Sequence, residues 1–428
     1  MSAAIGWLAP APSPDRITTI GLALLMRMAY ERVDPTPLWD LLAARVQRDP
    51  ADAAALMDMA TILQLSGQRA RGLRVQQDAL RLRPLYRRPH GLASGLRVLV
   101  LVAAGDFMVN TPLDFLFEGS DAELHLLYVA VDQPLPSMLP DHDLAFLAIS
   151  ESGENQAILA HLQPLLAVWP RPVVNGAPGR IAALSRDGVC AMFARNPHVV
   201  APTTIRAART ALEAVRDGAA LEDLLAGGRF PILVRPLDSH AGDGLAKLAG
   251  PADLAAYLAE HPQAAFYVAP FIDYRSADGL YRKQRIAFVR GRAFISHMAI
   301  SEHWMVHYLS AGMAESAAKR DEEGRFFASF DADFARRHRA AFDALQHAIG
   351  LDYFGIDCAE LADGRLLLFE ADVAMIVHAL DPEDLYPYKK PAMARLFAGF
   401  QAGLQAIAAG SGAPVGSHTN LAASLANL

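Results

Sequence analysis

The stretch that decides the fold is FGIDCAELADGRLLLFEAD, residues 354–372. Two runs of strand-forming residues flank Asp363-Gly364, a dipeptide suited to a two-residue type I′ hairpin turn. With that turn, Asp357 lies directly opposite Glu370, and Asp372 lies two residues further along the same face. Opposed like charges are destabilising and the neighbours are apolar, so we expect a cation here. Oxygen ligands without His or Cys favour Mg²⁺ or Mn²⁺; the alternative is a solvent-facing acidic hairpin without an ion.

A second informative stretch, FPILVRPLDSHAGDGLAKL, covers residues 230–248. Arg235 lies near the end of a predicted apolar strand. A turn-rich loop of small residues from Asp238 to Gly244 then leads to a second strand. Such a loop lets backbone N–H groups approach phosphate oxygens, and an arginine on the strand can neutralise them. Taken alone, this stretch favours an ordinary hairpin over a phosphate site.

Together the two stretches resemble the ATP-grasp family of carboxylate–amine ligases, which includes glutathione synthetase, D-alanine–D-alanine ligase and the ligase that adds glutamate to a ribosomal protein. The shared pattern is a basic residue before Pro, a glycine-rich loop and, about 120 residues later, an Asp followed by Glu-x-Asp/Asn. The resemblance covers residues 95–408. It implies that ATP is held between two α+β subdomains and activates a carboxylate as an acylphosphate, which an amine attacks with release of ADP and phosphate.

The resemblance also implies roles for individual residues. Asp357, Glu370 and Asp372 would hold one or two Mg²⁺ or Mn²⁺, and Arg285 and Arg235 would be the catalytic cations. The residues expected to bind ATP are Arg235, Ser239, His240, Gly242, Gly244, Tyr267, Val268, Ala269, Asp273 and Lys283. Substrate contacts are expected from Ser301, Trp304 and His307. His303 and His307 could instead form a metal pair on a helix, and Arg285 could be a surface residue of a basic strand.

Several positions depart from the family pattern. Gly188 stands where a lysine is expected, and Arg186 or Arg180 could replace that lysine. Asp372 stands where Asn is commoner, and Gly355 where some relatives carry an arginine. These differences leave room for weakened catalysis, so two alternatives stay open: a non-catalytic nucleotide-binding adaptor and a phosphotransferase on the same fold.

The rest of the chain divides by its pattern of apolar residues. We expect an irregular N-terminus (1–16), helices resembling a tetratricopeptide repeat (17–92), a small doubly wound α/β domain (95–178), an ATP-grasp domain of two α+β subdomains (179–410) and a flexible tail (411–428). The fold class is therefore α/β and α+β behind an all-α region, for which a plain helical cap is the alternative. The sequence contains neither a GxGxxG nor a GxxxxGK[ST] motif.

Three local predictions bear on the fold. Asp49-Pro50 begins a helix, and Ser66-Gly67 separates it from a second helix that Pro84 ends. Residues 205–226 are predicted to form one long helix. The polar run 316–325 is predicted to be a loop, either mobile over the site or merely solvated.

Composition limits the possible partners. The 428 residues carry a net charge of −7, which argues against a dedicated nucleic-acid binder. Two cysteines cannot form a disulfide framework, and no apolar stretch is long enough for a membrane span. We expect a cytoplasmic homo-oligomer that acts on an amino acid, a peptide or a protein. A face formed by Arg74, Arg81 and Arg88 is predicted to dock an acidic peptide; the alternative is a solvated helix face.

Overall fold

The computed structural model describes residues 16–237, 239 and 242–410, so the predicted tail and nearly all of the predicted irregular N-terminus lie outside the described residues. The described chain starts with four helices, α1 Leu22–Tyr30, α2 Thr36–Arg48, α3 Ala53–Leu65 and α4 Arg69–Leu82. The Asp52 carboxylate accepts the N–H of Ala55 at 3.0 Å and so caps α3. Gly67, with φ of +77°, lets the chain turn into α4. The predicted helix pair is confirmed, whereas the tetratricopeptide repeat stays a prediction.

A five-stranded sheet follows these helices. Its elements are β1 Leu85–Pro89, β2 Arg97–Val102, α5 Leu113–Leu116, β3 Glu123–Tyr128, β4 Leu144–Leu147, α6 Gln156–Ala167 and β5 Val173–Val174. The strand order is β1-β3-β2-β4-β5, with β1 antiparallel to β3 and the other pairs parallel. Strand β2 is almost entirely buried, as a parallel strand with both faces covered should be. The predicted α/β class of this part is confirmed.

Strand β1 corrects the prediction that residues 17–92 are all helical. Its Arg88 donates a hydrogen bond to Asp114 at 2.6 Å in a buried position, because the chain leaves the helix after α4 and pairs with β3. Arg88 therefore does not extend the face of Arg74 and Arg81. Docking of an acidic peptide stays a prediction for those two residues alone.

The next part contains a small antiparallel sheet. Its elements are α7 Pro178–Ala182, α8 Arg186–Phe193, β6 Val199–Val200, β7 Ile205–Ala208, α9 Arg209–Glu213, α10 Gly218–Leu224, β8 Ile232–Pro236, β9 Ala246–Leu248, α11 Pro251–Glu260 and β10 Ala265–Pro270. The strand order is β7-β10-β8-β9, while β6 joins another sheet. The single helix predicted over residues 205–226 is wrong. Pairing of β7 with β10 buries Ala207 and overrides the helix propensity of this alanine-rich stretch.

The last part builds a large sheet. Its elements are β11 Tyr281–Val289, β12 Arg292–Ser301, a 3₁₀ helix Tyr308–Ser310, α12 Ala317–Ser329, α13 Phe334–Arg337, α14 Arg339–Ile349, β13 Tyr353–Glu360, β14 Leu366–Asp372 and α15 Lys389–Ala409. The order β12-β11-β13-β14-β6 is antiparallel except for β14 and β6. The loop predicted over residues 316–325 is helical instead. Helix α12 forms there because Glu323 and Phe327, four residues apart, are both buried.

The first sheet and the large sheet share one hydrophobic core. Phe400 of α15 lies between Phe146 of β4 and Tyr353 of β13, with ring centroids 6.1 and 5.3 Å apart. The small sheet has a separate core that includes Ile232 and Phe266. The small sheet is therefore a lobe of its own. No helix in the described ranges is long and apolar enough to cross a membrane.

A buried charge network attaches α12 and α15 to the large sheet. Glu323 is fully buried, and its carboxylate accepts the backbone N–H of Met298 at 2.9 Å and the hydroxyl of Tyr388 at 2.7 Å. The ammonium group of Lys389 lies 3.5 Å from Glu323 and 3.2 Å from Asp381. Because both groups are out of water, removing one of them would leave the other charge without its partner inside the protein.

Replacing Glu323 by alanine should lower the free energy of unfolding by about 3–5 kcal/mol, because Lys389 would lose half of its compensation inside the protein. Glu383→Ala is the matched control, since Glu383 forms an exposed pair with Lys390 and should contribute at most about 1 kcal/mol. Urea denaturation of both variants measures the difference. Equal midpoints for the two variants would contradict this account of the network.

Candidate active site

The residues predicted to form the site lie between the small sheet and the large sheet. Strand β10 ends at Pro270, and residues 271–280 carry the chain from the small sheet to β11. Arg235 of β8 lies close enough to Arg186 of α8 and to Glu370 of β14 for both to influence its pKa. Charged side chains of the small sheet and the large sheet therefore lie close to each other, and we call the space between them the cleft.

Four polar side chains form a row across the large sheet. Strand pairing places His297 of β12 opposite Arg285 of β11. Arg285 in turn lies opposite Asp357 of β13, and Asp357 lies opposite Glu370 of β14. Directly paired residues project from the same face of a sheet. The predicted pairing of the two carboxylates is confirmed, and Arg285 lies beside them, while its catalytic role stays a prediction.

The hairpin that carries these carboxylates does not have the predicted two-residue turn. The N–H of Leu361 donates to the carbonyl of Arg365 at 2.9 Å, which leaves a three-residue loop with Gly364 at φ of +80°. A β-bulge next to Asp357 then shifts the register by one residue. The bulge compensates for the longer loop and restores the pairing of Asp357 with Glu370.

Asp357 is buried and ion-paired on both of its carboxylate oxygens. Arg285 donates from Nε to Oδ1 at 2.8 Å and from Nη2 to Oδ2 at 3.0 Å, and Lys283 Nζ donates to Oδ2 at 3.0 Å. Burial alone would raise the pKa of Asp357, but the two cations outweigh burial and hold this pKa well below its usual range. Lys283, predicted to contact ATP, therefore lies in the cleft but bonds to Asp357.

Arg186 holds the second carboxylate of the row. It is the first residue of α8, and its Nη2 donates to Glu370 Oε1 at 2.8 Å. Burial would raise the pKa of Glu370, but Arg186 and other cations lower it overall. The next residue, Asp187, pairs with Arg206 of β7 at 3.1 Å. The start of α8 thus connects the large sheet to the small sheet.

Gly188, the position where the sequence resemblance predicts a lysine, has no room for a Cβ atom in this backbone. A Cβ atom at Gly188 would overlap with the carbonyl oxygen of Ala183 and would lie 3.0 Å from the hydroxyl oxygen of Ser185. Arg180, one of the two suggested replacements for the lysine, donates to a backbone carbonyl at the end of α14 at 3.1 Å. Of the two, Arg186 is the one that contacts Glu370 of the large sheet, and its role as a replacement stays a prediction.

Asp372 is the third predicted metal ligand. Its Oδ1 atom is buried and has no hydrogen-bond partner in the described part of the chain. Burial, and then the nearby Glu370, raise the pKa of Asp372 to about 7. Among the described residues, no three His, Cys, Asp or Glu side chains are grouped so that they could hold a metal ion. Both oxygens of Asp357 accept hydrogen bonds from cations, so a metal ion would have to displace Arg285 and Lys283. Asp372 Oδ1 and the oxygen of Glu370 that Arg186 does not bind are the oxygens that could be offered to a divalent cation.

The small sheet presents a row of its own. Tyr267 of β10 lies opposite both Arg206 of β7 and Arg235 of β8. Arg235 donates from Nε to Ser239 Oγ at 3.0 Å and also to the backbone carbonyl of Ser239. Burial, and then the charge of Arg186, lower the pKa of Arg235 to about 10, so the guanidinium remains charged at neutral pH. A buried cation at the start of the loop is the feature that the sequence predicted here.

The loop after β8 has a backbone that favours glycine. Gly242 and Gly244 have φ of +81° and +63°, and a Cβ atom at Gly244 would lie 2.7 Å from Pro236 Cδ. Met305, which follows β12, has its sulfur 3.8 Å from the position of a Cβ atom at Gly242. The loop therefore lies beside the large lobe. His240, predicted to bind ATP, lies outside the described residues.

Strand β10, predicted to meet the adenine ring, has an incompletely paired end. Val268 has a strand neighbour on both sides, whereas Ala269 pairs only with Leu233 among the described residues. Backbone groups beyond the end of β7 can therefore bond to a ligand. Asp273, predicted to lie near the ribose, pairs with Arg275 at 2.7 Å.

The residues predicted to contact substrate have different surroundings. Ser301 is buried, and its hydroxyl accepts the N–H of His303 at 3.0 Å, which makes it a turn-forming residue. Neither His303 nor His307 is helical, so the alternative of a helical metal pair is wrong. His307 lies near Lys283 and Arg285, since burial and then these two cations lower its pKa. Among the predicted substrate residues, His307 is therefore one that lies near the charged side chains of the large sheet.

Trp304 packs the segment after β12 against residues 271–280, which connect the two lobes. The hydroxyl of Tyr274 donates to its carbonyl, and its ring packs edge-on against Phe271 with centroids 5.7 Å apart. The ammonium group of Lys247, from the small sheet, lies 3.5 Å from the Phe271 ring centroid. Trp304 thus has a structural role in addition to any contact with substrate.

Two site residues were not predicted from the sequence. His297 extends the row beside Arg285, and its Nε2 is buried without a hydrogen-bond partner in the described ranges. Glu151 follows β4 and lies near enough to Asp372 and Tyr267 to influence their pKa values. A signal for Glu151 existed, because the ends of β2 and β4 mark the point where the strand order reverses, and ligands of α/β sheets bind there.

Replacing Gly188 by alanine should lower the free energy of unfolding by about 1–3 kcal/mol, because the new Cβ atom forces the start of α8 to move. Gly218→Ala is the matched control, since nothing lies within 4 Å of its Cβ position. Denaturant titration measures both effects. If Gly188→Ala were as stable as the control, the missing lysine would have to be explained in another way.

No known protein family matches this chain by sequence, and no curated protein does. Solved structures of similar fold include a RimK domain ATP-grasp protein from Sphaerobacter thermophilus, with 15% identity and a TM-score of 0.39, covering 72% of this chain and 99% of that one. A D-alanine–D-alanine ligase from Bacillus anthracis has 11% identity, a TM-score of 0.40 and coverages of 73% and 99%. VanG, a D-Ala:D-Ser ligase from Enterococcus faecalis, has 12% identity, a TM-score of 0.44 and coverages of 74% and 100%.

Proposed function

We propose that this protein is an ATP-dependent ligase that activates a carboxylate as an acylphosphate and joins it to an amine of an amino acid or a peptide. The observation that carries the proposal is the pair of facing charged rows. One row contains Arg235 and the glycine-containing loop on the small sheet, and the other contains Arg285, Asp357 and Glu370 on the large sheet. The same two parts occur in the same order in the sequence pattern that resembles ATP-grasp ligases.

The cleft has the charge that the phosphates of ATP require. Its cationic side chains are Arg186, Arg235, Lys283 and Arg285. Arginine binds phosphate oxygens through paired hydrogen bonds, and the backbone N–H groups of a tight glycine loop add neutral donors. The free side of the backbone at Ala269 suits the polar edge of a base. We infer that ATP lies between the lobes with its phosphates toward the large sheet.

The reaction that we propose has two steps. A carboxylate oxygen of the substrate attacks the γ-phosphorus of ATP, the bond to the β-phosphate oxygen breaks, and ADP leaves. The amine nitrogen then attacks the carbonyl carbon of the acylphosphate, phosphate leaves, and the nitrogen loses a proton. Arg285, held by Asp357 through two hydrogen bonds, presents a positive charge of fixed orientation to the oxygens that gain negative charge. A divalent cation bound by Glu370 and Asp372 would shield the phosphates.

A nucleotide-binding adaptor without catalysis is the second candidate. Two observations favour it: Lys283 and Arg285 are both engaged by Asp357, and Gly188 leaves no room for the lysine of the family pattern. In such a protein the cleft would bind ATP and the N-terminal helices would bind a partner.

Hydroxylamine distinguishes these functions because it traps acylphosphates as hydroxamates without needing the natural amine. We expect the purified protein, with ATP, Mg²⁺ and a panel of amino acids and peptides, to release ADP and form a hydroxamate. A phosphorylated product without free phosphate would indicate a phosphotransferase instead. ATP binding without ADP release across the panel would support the adaptor and contradict the ligase.

Replacing Arg235 by alanine should weaken ATP binding by about 10- to 150-fold, since a hydrogen bond to a charged group contributes about 1.5–3 kcal/mol. Arg365→Ala is the matched control, because Arg365 pairs with Asp363 at the exposed tip of the hairpin. Calorimetric titration with ATP measures both affinities, and thermal unfolding verifies that Arg235→Ala remains folded. Wild-type affinity in a folded Arg235→Ala variant would remove Arg235 from the phosphate site.

A further inference from the structure

A cavity of about 310 Å³ lies where the first sheet meets the large sheet, and its lining includes none of the cleft residues. One wall comes from residues of the stretch 171–177, around β5, and the other from residues 350–352, between α14 and β13. Asn175 joins the two walls, because its side chain accepts the N–H of Tyr353 at 2.9 Å and donates to the carbonyl of Tyr353 at 2.8 Å. The cavity is therefore held in shape, and its volume is at the small end of the range for ligand pockets.

Arg171 brings an unsatisfied cation to the first wall. Its side chain is only 12% exposed, and its ion pair with Asp141 Oδ1 spans 3.9 Å, which is too long for a hydrogen bond. No residue in the described ranges accepts a hydrogen bond from this guanidinium. Five N–H donors that are largely out of water need acceptors, so Arg171 favours a ligand with a carboxylate in the cavity.

The charges around Arg171 favour a ligand that is neutral overall. Asp141 and Asp143 both pair with Arg97, so the two arginines balance the two carboxylates. His142, between these carboxylates in the chain, adds no charge at neutral pH because burial lowers its pKa. An anion without a positive group of its own would bring an uncompensated negative charge to this balanced group.

The second wall presents a carboxylate with a free oxygen. Asp352 accepts the backbone N–H of Asn175 through Oδ2 at 3.0 Å, whereas its Oδ1 has no hydrogen-bond partner within the described part of the chain. Arg180 lies beside Gly350 but donates to the carbonyl of Ile349 at 3.1 Å, at the end of α14. The cavity thus has a cation on one wall and an acceptor for a positive group on the other. Residues 171 and 175 can be at most about 14 Å apart, so one small molecule can reach both walls.

We propose that this cavity binds a free α-amino acid, with its carboxylate at Arg171 and its ammonium group at Asp352. Such a molecule carries both charges and is neutral overall, and its side chain would lie against Leu166 and Val173, which also line the cavity. The site is separate from the cleft, since five residues along β13 place Asp352 about 16 Å from Asp357. The inference goes beyond the proposed function and needs no nucleotide.

Calorimetric titration of the full chain without ATP tests the class of ligand. The twenty common L-amino acids are tested one by one, and each one that binds is compared with its N-acetyl derivative and its amide. We expect at least one amino acid to bind and both of its derivatives to bind about 10-fold more weakly or worse, because each derivative lacks one charged group. Absence of binding across the twenty, or equally tight binding of both derivatives, would overturn the proposal.

Two variants test the position of the site. Arg171→Gln and Asp352→Asn should each weaken binding of the amino acid by about 10-fold or more, since each removes one charge. Arg365→Gln, at the exposed tip of the hairpin, is the matched control and should keep the wild-type affinity. Thermal unfolding verifies that the variants are folded. Wild-type affinity in folded Arg171→Gln would place the amino acid elsewhere, such as in the cleft, and would overturn this inference while leaving the proposed function intact.

Hydrogen exchange of the wild-type chain locates the ligand without any variant. Saturation with the amino acid should slow exchange of the backbone N–H groups in residues 171–177 and 350–352, since a bound ligand holds the two walls together. Peptides from the hairpin tip around Arg365 are the internal control and should not change. Unchanged exchange in both walls at saturation would overturn the assignment of the site to this cavity.

Discussion

The bidentate ion pair between Arg285 and Asp357 is the interaction on which the rest of the site depends. Both residues lie on inner strands of the large sheet, and the side chains of Asp357 and Arg285 are only 5% and 20% exposed. Removing Asp357 would leave Arg285 and Lys283 without their shared carboxylate, whereas removing Arg285 would leave Asp357 paired with Lys283 alone. The same pair orients Arg285 toward the cleft and engages Lys283. After burial, it is Arg285 that most lowers the pKa of His297, so the row contains no further cation at neutral pH.

The pairing of the carboxylates could be predicted from the sequence, but only because two deviations cancel. The three-residue loop at Gly364 shifts the strands by one residue, and the bulge beside Asp357 shifts them back. A single shift would have put Glu370 opposite Ile356, on the other face of the sheet. The run LLLFEAD has no polar–apolar alternation at its start, so the sequence contains no signal for the bulge. The residue types alone do indicate that two opposed carboxylates need cations on the same face of the sheet.

Other features required information that a local pattern does not hold. Arg186 and Glu370 are 184 residues apart, and Lys283 and Asp357 are 74 apart. Only the packed fold brings such pairs together, so the sequence suggested metal ions where the structure places arginine and lysine. Helix α12 was predicted as a loop for a related reason, because its polar run includes Glu323, whose charge is satisfied inside the protein. By contrast, strands β2, β3 and β4 and the Arg235 loop followed from runs of apolar residues and glycines, which are local signals.

The start of α8 joins the charge balance of the cleft to the position of the two lobes. The small sheet has its own core, and two consecutive residues connect it to the large sheet: Asp187 binds β7 through Arg206, while Arg186 binds Glu370. An anion that draws Arg186 away from Glu370 breaks the second connection and leaves the first intact. Any anion that binds Arg186 would therefore compete with Glu370 for the same guanidinium and weaken the link between the start of α8 and the large sheet.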